Sequence, residues 1–243
     1  MLTYADKVCI ILEAYLLLMS DKTELQKEFE LERLVFFSDA VFAIAITLLI
    51  IEIKFPEIAR EAGSAEIFAD FKPVIIQFIG FVVSFILIGV TWARHLKFCH
   101  YLHKFDSGLI RLNLVLLFFI VCFPFSASGL TEHIRPGFFL PIIIYLINIC
   151  AVMWLHYRLC NYIFYKKPHL SIPGFEADKK FVFITSRWVA CSFLAVLIIY
   201  FILLLTLPQN SIYPQFALYL LPLSMFIMKW KFKKLKPKDN AFI

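Results

Sequence analysis

Four polar side chains lie inside an otherwise apolar segment near the start of the chain, and they are the first candidates for chemistry. They are Ser38, Asp39, Thr47 and Glu52, all between residues 34 and 54. A polar group at membrane depth is expensive unless it faces protein or water. A buried carboxylate also needs a cation or several hydrogen-bond donors. If the segment spans a membrane, these side chains therefore indicate a function.

Trp92, Arg94 and His95 are the expected partners of Asp39, because they lie together at the end of a second apolar segment. Their ring N–H groups and guanidinium are the donors or cation that a buried carboxylate requires. A plain structural role for Asp39, in which it caps the entry of a helix, stays open beside this one.

Enzyme chemistry is not predicted. The sequence contains no Gly-x-Ser-x-Gly or His-Glu-x-x-His motif and no paired aspartates within one apolar segment. His100 and His103 are three residues apart in a basic connection, with no cluster of cysteines or carboxylates to complete a metal site. The six cysteines include no Cys-x-x-Cys pair and are interpreted as small buried hydrophobic residues. No catalytic residue, metal or cofactor is therefore expected.

The elements that position these residues are membrane helices. Hydrophobic residues make up 61% of the 243 positions and charged residues only 17%, whereas soluble domains contain about 25% charged residues. A spanning helix needs about 20 apolar residues. The sequence predicts an all-α integral membrane protein with about six transmembrane helices, at 34–54, 73–93, 108–130, 137–157, 188–207 and 212–230. The lipid bilayer is the expected partner, and no nucleic acid is.

Lys and Arg residues cluster in the 94–111 and 158–187 connections and in the tail after residue 228. Because cytoplasmic loops carry the excess of positive charge, we predict an inner (plasma) membrane protein with both termini in the cytoplasm. The predicted organisation is an N-terminal cytoplasmic extension and lead-in (1–32), a six-helix transmembrane domain (33–230) and a basic cytoplasmic tail (231–243).

The first helix has two faces. At about 100° per residue, Ile44, Leu48 and Ile51 fall on one stripe, and Asp39 points about 140° away. Thr47 lies about 60° from Ile44. Such a stripe is by itself typical of plain packing or lipid contact.

A motif in this helix adds a more specific interpretation. Arg33-x-x-x-Phe37-Ser38-Asp39 resembles the signature that opens the first helix of the transmembrane protein 175 family, the endosomal and lysosomal potassium channels and their bacterial relatives. The run 42–49 and the pair 52–53 are similar to the bacterial members. Further similarities of type and spacing lie in the second and third helices, at Trp92–His95, Phe98, Asp106, 112–114 and 124–125. The resemblance covers about residues 25–130.

The resemblance implies a potassium channel in which four identical chains surround a pore lined by the first helix. The 33–230 domain is then a channel domain, and its constriction falls on Ile44, Leu48 and Ile51. Thr47 and Glu52 are the candidates to face the permeant K⁺ ion, and Glu52 is equally well explained as solvating the helix end. The implied structural polar network consists of Arg33, Phe37, Ser38, Asp39, Trp92, His95 and Asn113.

Selectivity is expected to be weak to moderate, because the Thr-Val-Gly-Tyr-Gly sequence of carbonyl filters is absent. A hydrophobic ring can instead close the pore by excluding water. A secondary transporter or a proton-conducting membrane protein is the alternative. A transporter usually shows inverted repeats with broken helices in matching positions, and the sequence shows neither feature.

Overall fold

The computed structural model describes residues 4–54, 56, 63–132, 138–208 and 213–233, and their side chains except those of 4–24, 27, 64–70, 132 and 215. This part of the chain is α-helical and contains no β-strand. The α-helices are α1 (Tyr4–Ile51), α2 (Ser64–Cys99), α3 (Ser107–Val121), α4 (Phe123–Glu132), α5 (Leu140–Asn161), α6 (Glu176–Thr206) and α7 (Leu220–Lys231). A π-helix (Tyr162–Lys166) and two 3₁₀ helices (Pro168–Leu170 and Tyr213–Tyr219) complete the described elements.

Five helical segments of the described chain are long and apolar enough to cross a membrane. They are Glu28–Ile51, Phe71–Cys99, Ser107–Thr131, Leu140–Lys166 and Glu176–Thr206. Each overlaps one of the first five predicted spans, so the predicted all-α membrane fold is confirmed. The protein is a multi-pass membrane protein.

The third span consists of two helices, α3 and α4, which meet at Cys122. Pro124 lies in the first turn of α4 and has no N–H to continue the hydrogen bonding of α3. The Cys122 N–H closes α3 instead, by donating to the Phe118 and Ile120 carbonyls.

The sixth predicted span, 212–230, differs from the other five because it is not one continuous helix. Within the described residues, the 3₁₀ helix Tyr213–Tyr219 is followed by α7, and neither element alone has membrane length. Pro214 and Pro222 each remove a backbone donor from this segment.

This segment nevertheless runs back along α6. Near its start, Ala217 shares a buried cluster with Tyr200. Further along, the Ser224 hydroxyl donates to Ser192 Oγ at 2.6 Å, and at its end the Phe232 ring centroid lies 5.6 Å from that of Trp188. The pairing with progressively earlier α6 residues shows an antiparallel arrangement.

Helix α1 is continuous across the predicted boundary at residue 33. Its 48 residues correspond to about 70 Å at about 1.5 Å per residue, more than twice the roughly 30 Å of a bilayer core. The predicted domain boundaries at 32 and 230 stay predictions, and residues 234–243 of the predicted tail lie outside the described part of the chain.

The main core lies where α1 packs against α2, α3 and α4, and where α5 joins α3, α4 and α6. Its fully buried members include Phe42, Ile88, Phe98, Leu116, Ile120, Val152 and Ile163. This packing fixes which face of α1 stays uncovered.

Candidate functional site on helix α1

The two faces of α1 differ sharply in burial. Phe42, Ala45 and Leu49 are 1%, 1% and 2% exposed and belong to the core. Ile44, Leu48 and Ile51 are 56%, 38% and 68% exposed. The predicted stripe therefore lies on the face of α1 that the rest of the chain leaves uncovered, which we call the open face.

Other predicted residues share the open face. Thr47 is exposed, and its hydroxyl donates to the Ile44 carbonyl at 2.9 Å. The Thr47 oxygen keeps lone pairs that can accept from water or contact a cation. Arg33 and Phe37 are also exposed, and each lies about 20° from Ile44 around the helix. Between Ile44 and Ile51 the open face is therefore an apolar surface that carries one hydroxyl group, that of Thr47.

Glu52 occupies a different position. It follows the last residue of α1 and is half-buried. It lines a small cavity together with Gln77 of α2 and with Ser128 and Thr131 of α4. Glu52 therefore lies where the end of α1 meets α2 and α4.

Asp39 contacts α2 through one hydrogen bond. The Trp92 indole Nε1–H donates to Asp39 Oδ1 at 2.8 Å. The sequence analysis considered Trp92, Arg94 and His95 as partners of Asp39. Among the described contacts, the hydrogen bond to Asp39 comes from Trp92. The bond links α1 to α2, two turns before the end of α2.

Ser38 contacts α3 instead of joining Asp39. The Asn113 amide Nδ2 donates to Ser38 Oγ at 2.8 Å, and the Ser38 hydroxyl donates to the Leu34 carbonyl at 3.0 Å. Both Ser38 and Asn113 are buried. The residues expected to form one network are therefore arranged as two separate links, α1 to α2 and α1 to α3.

His95 is not hydrogen-bonded to either link. It is 1% exposed, and its ring lies between Phe42, at 5.5 Å, and Phe98, at 5.8 Å between centroids. Neither ring nitrogen has a partner within the described residues. Arg33 and Phe37 lie on the open face, so they also stand apart from the two links.

Three residues that the sequence analysis did not assign to a site form a polar cluster between two connections. Asp106 caps α3 by accepting from the Leu109 N–H at 2.8 Å. It also accepts from the Tyr162 hydroxyl at 2.9 Å and forms an ion pair with Lys167. Burial acts to raise the pKa of Asp106, but the hydrogen bonds from Lys167, Leu109 and Tyr162 lower it to about 2. The cluster joins the 100–106 and 162–167 regions.

A second polar group lies deeper, between α5 and α6. His156 Nδ1 and Ser186 Oγ are 3.5 Å apart, and the Cys160 thiol lies 3.6 Å from Ser186 Oγ. No group of three or more His, Cys, Asp or Glu side chains with metal-site geometry occurs in the described part of the chain.

Residues 33–124 match the family model described as endosomal/lysosomal potassium channel TMEM175. The matched segment includes the open face of α1 and both polar links. A potassium channel of Streptomyces collinus is 37% identical over 99 residues, which are 41% of this chain and 47% of that protein. The chain spans about half the length of the curated bacterial relatives that it matches.

A more distant relative is named for a different ion. The human endosomal/lysosomal proton channel TMEM175 is 25% identical over 145 residues, 60% of this chain and 28% of that protein. These relatives are named as channels, not as enzymes.

A solved structure shares the fold. It is described as a lysosomal potassium-selective channel TMEM175 homolog from Chamaesiphon minutus, and the TM-score is 0.65 at 22% identity. The superposition covers 86% of this chain and 99% of that chain. The likeness in fold therefore extends beyond residues 33–124.

Proposed function

We propose that the chain belongs to the TMEM175 family, whose model matches residues 33–124, and that it is a potassium-permeable channel whose pore is lined by the open face of α1. The observation that carries the proposal is the burial pattern of α1. The stripe of Ile44, Leu48 and Ile51 is uncovered in the single chain. The opposite face, with Phe42, Ala45 and Leu49, is buried in the core.

A pore of this kind needs several copies of the chain, and we propose a homotetramer with four α1 helices around the axis. The side of α1 that carries Phe42, Ala45 and Leu49 belongs to the chain's own core, so the open face is available to meet the same face of other copies. Each pore-lining residue then contributes a ring of four side chains at one depth.

The constriction would be short and apolar. Rings at Ile44 and Leu48 are about 6 Å apart along the helix, and those at Leu48 and Ile51 about 4.5 Å. An apolar ring closes a pore by excluding water, so opening requires the α1 helices to rotate or separate. Selection among cations would be weak to moderate, because the ion meets side chains and no ring of backbone carbonyls. Thr47 would supply one hydroxyl ring between these apolar levels.

Proton conduction is the second candidate, and it is favoured by the human relative, which is named a proton channel. The proposed constriction itself offers no titratable side chain, so protons would need a continuous file of water through the Ile and Leu rings. In this proposal Glu52, the residue after Ile51, would lie at one end of the path and offer a carboxylate there.

Purified protein in liposomes tests the proposals together. Under a potassium gradient, a potassium channel sets the reversal potential near the potassium equilibrium value, whereas a proton channel follows the pH gradient. Current that flows under voltage alone separates either channel from a transporter, which shows saturable, coupled exchange. We further propose that the channel lies in the plasma membrane with both termini in the cytoplasm, in accord with the basic connections.

A further inference from the structure

A small cavity lies behind α1, on the side away from the open face, where α1, α2 and α3 meet. It is lined by Ser38, His95 and Asn113 together with apolar side chains that include Phe98 and Leu109. Its volume is about 10 Å³ for the centre of a water-sized sphere, which is roughly what one water molecule requires.

Two of the residues that line this cavity carry buried polar atoms without partners in the part of the chain that the structure describes. Asn113 Oδ1 and both ring nitrogens of His95 are buried and unpartnered within the described residues. In a neutral imidazole one nitrogen donates and the other accepts, so His95 alone leaves one donor and one acceptor unsatisfied. Buried polar groups are nearly always hydrogen-bonded to protein or ordered water.

The missing partner has to be internal and small. His95 is 1% and Asn113 4% exposed in the single chain, so neither bulk solvent nor a neighbouring subunit can reach them. The cavity lining contains no carboxylate, so a cation placed there would lack a counter-charge. A water molecule can donate to Asn113 Oδ1 and also bond one ring nitrogen of His95.

We infer that this cavity holds one ordered water molecule that bridges Asn113 and His95. Together with the hydrogen bond from Asn113 to Ser38, the water completes a chain of contacts from α1 through α3 to α2. The water thereby connects His95 to Ser38 of α1 through Asn113, although the His95 ring forms no direct hydrogen bond to either residue. The inference does not depend on the proposed channel activity.

An experimental structure that resolves ordered waters gives the direct test. We expect a density peak about 2.7–3.2 Å from both Asn113 Oδ1 and one His95 ring nitrogen. An empty cavity would overturn the inference, as would a direct hydrogen bond between the Asn113 amide and His95. A second structure in rubidium identifies a cation by its anomalous signal, and such a signal in the cavity would also overturn it.

A double-mutant cycle on the full-length protein in detergent tests the bridge independently. The variants are His95→Phe, Asn113→Leu and the double variant, and the measured quantity is the midpoint of thermal unfolding. The unfolding midpoint of the double variant should fall by less than the sum of the decreases in the two single variants. The difference between that sum and the observed decrease should be about 2 °C or more. The lost bond from Asn113 to Ser38 is common to both Asn113→Leu variants and cancels in the cycle.

His156→Phe combined with Asn113→Leu is the matched control. His156 is also a buried histidine with an unpartnered Nε2, but it does not line this cavity. Its cycle should be additive. Additive losses in the His95 cycle, or equal coupling in both cycles, would contradict a water bridge, and the density test decides the matter for any variant that does not fold.

Discussion

Gly108 is expected to be essential for the cluster of Asp106, Tyr162 and Lys167. A Cβ at this position would overlap the Tyr162 hydroxyl, and it would also lie 2.9 Å from Tyr162 Cζ. Real Cβ atoms do not approach this closely, so Gly108→Ala must push the Tyr162 ring away. The displaced hydroxyl then loses its hydrogen bond to Asp106.

The expected cost follows from these contacts. A hydrogen bond to a charged group contributes about 1.5–3 kcal/mol, and the lower end applies because the Asp106 side chain is 24% exposed. Ala in place of Gly returns up to about 1 kcal/mol in a helix interior, and less here because Gly108 lies in the first turn of α3. The net loss is about 0.5–1.5 kcal/mol, or about 1–6 °C in unfolding midpoint for a chain of this size.

Thermal unfolding in detergent measures this loss, with two companion variants. Ser107→Ala, at the exposed neighbouring position, should stay within about 0.5 kcal/mol of the wild type. Tyr162→Phe removes the same hydrogen bond and has no compensating gain from Ala in a helix, so its loss should be about 1.5 kcal/mol. A Gly108→Ala protein as stable as the wild type would refute the reasoning.

Three further outcomes are expected. Leu49→Ala should lower stability by about 2–5 kcal/mol because it opens a cavity in the core, whereas Ile44→Ala on the open face should change it by about 0.5 kcal/mol or less; unfolding midpoints compare the two. Asp39→Ala should reduce assembled protein on size exclusion more than it alters ion selectivity, since the Trp92 N–H loses its acceptor, at a cost of about 1.5 kcal/mol for an exposed hydrogen bond to a charged group; a well-assembled variant with altered selectivity would place Asp39 in the permeation path. The lowered pKa of Asp106 means that its stabilising effect is complete above its ordinary pKa of 3.8 and is lost as the pH falls towards about 2; midpoints measured across this range should fall in the wild type and less in Asp106→Asn.

Hydropathy was sufficient to predict the five membrane-length helices, because a continuous apolar run of that length has few other uses. It was less informative about their ends and breaks. The first span begins at Glu28 and not at 34, since charged residues before it continue the same helix. The breaks at Cys122 and before Leu220 follow from nearby prolines, which the sequence contains but which helices sometimes tolerate.

The orientation of α1 was accessible from periodicity, because burial repeats with the helical period. Ile44 and Leu48 are exposed where the stripe was predicted, and Leu49 lies in the core. The resemblance supplied what periodicity lacked, namely a reason to assign the exposed stripe to a pore instead of lipid. That assignment stays a prediction.

The pairing of polar residues could not be predicted from local sequence patterns. Asn113 bonds Ser38 across 75 positions, and Asp106 bonds Tyr162 across 56. No spacing rule connects residues so far apart, since their contact depends on how separate helices pack. The Asp106 cap had a local signal, because an Asp directly before an apolar helical run is a preferred N-cap.

Potassium current through Ile44→Ala and Ile46→Ala channels in liposomes tests the central claim most directly. The chemical change is the same, but Ile44 lies on the open face and Ile46 is half-buried against the core. If the open face lines the pore, Ile44→Ala widens a ring of four side chains, so potassium current should rise and selectivity over sodium should fall. Ile46→Ala should change neither quantity. A changed current and selectivity in Ile46→Ala, with Ile44→Ala indistinguishable from the wild type, would contradict the claim that this face of α1 lines the pore.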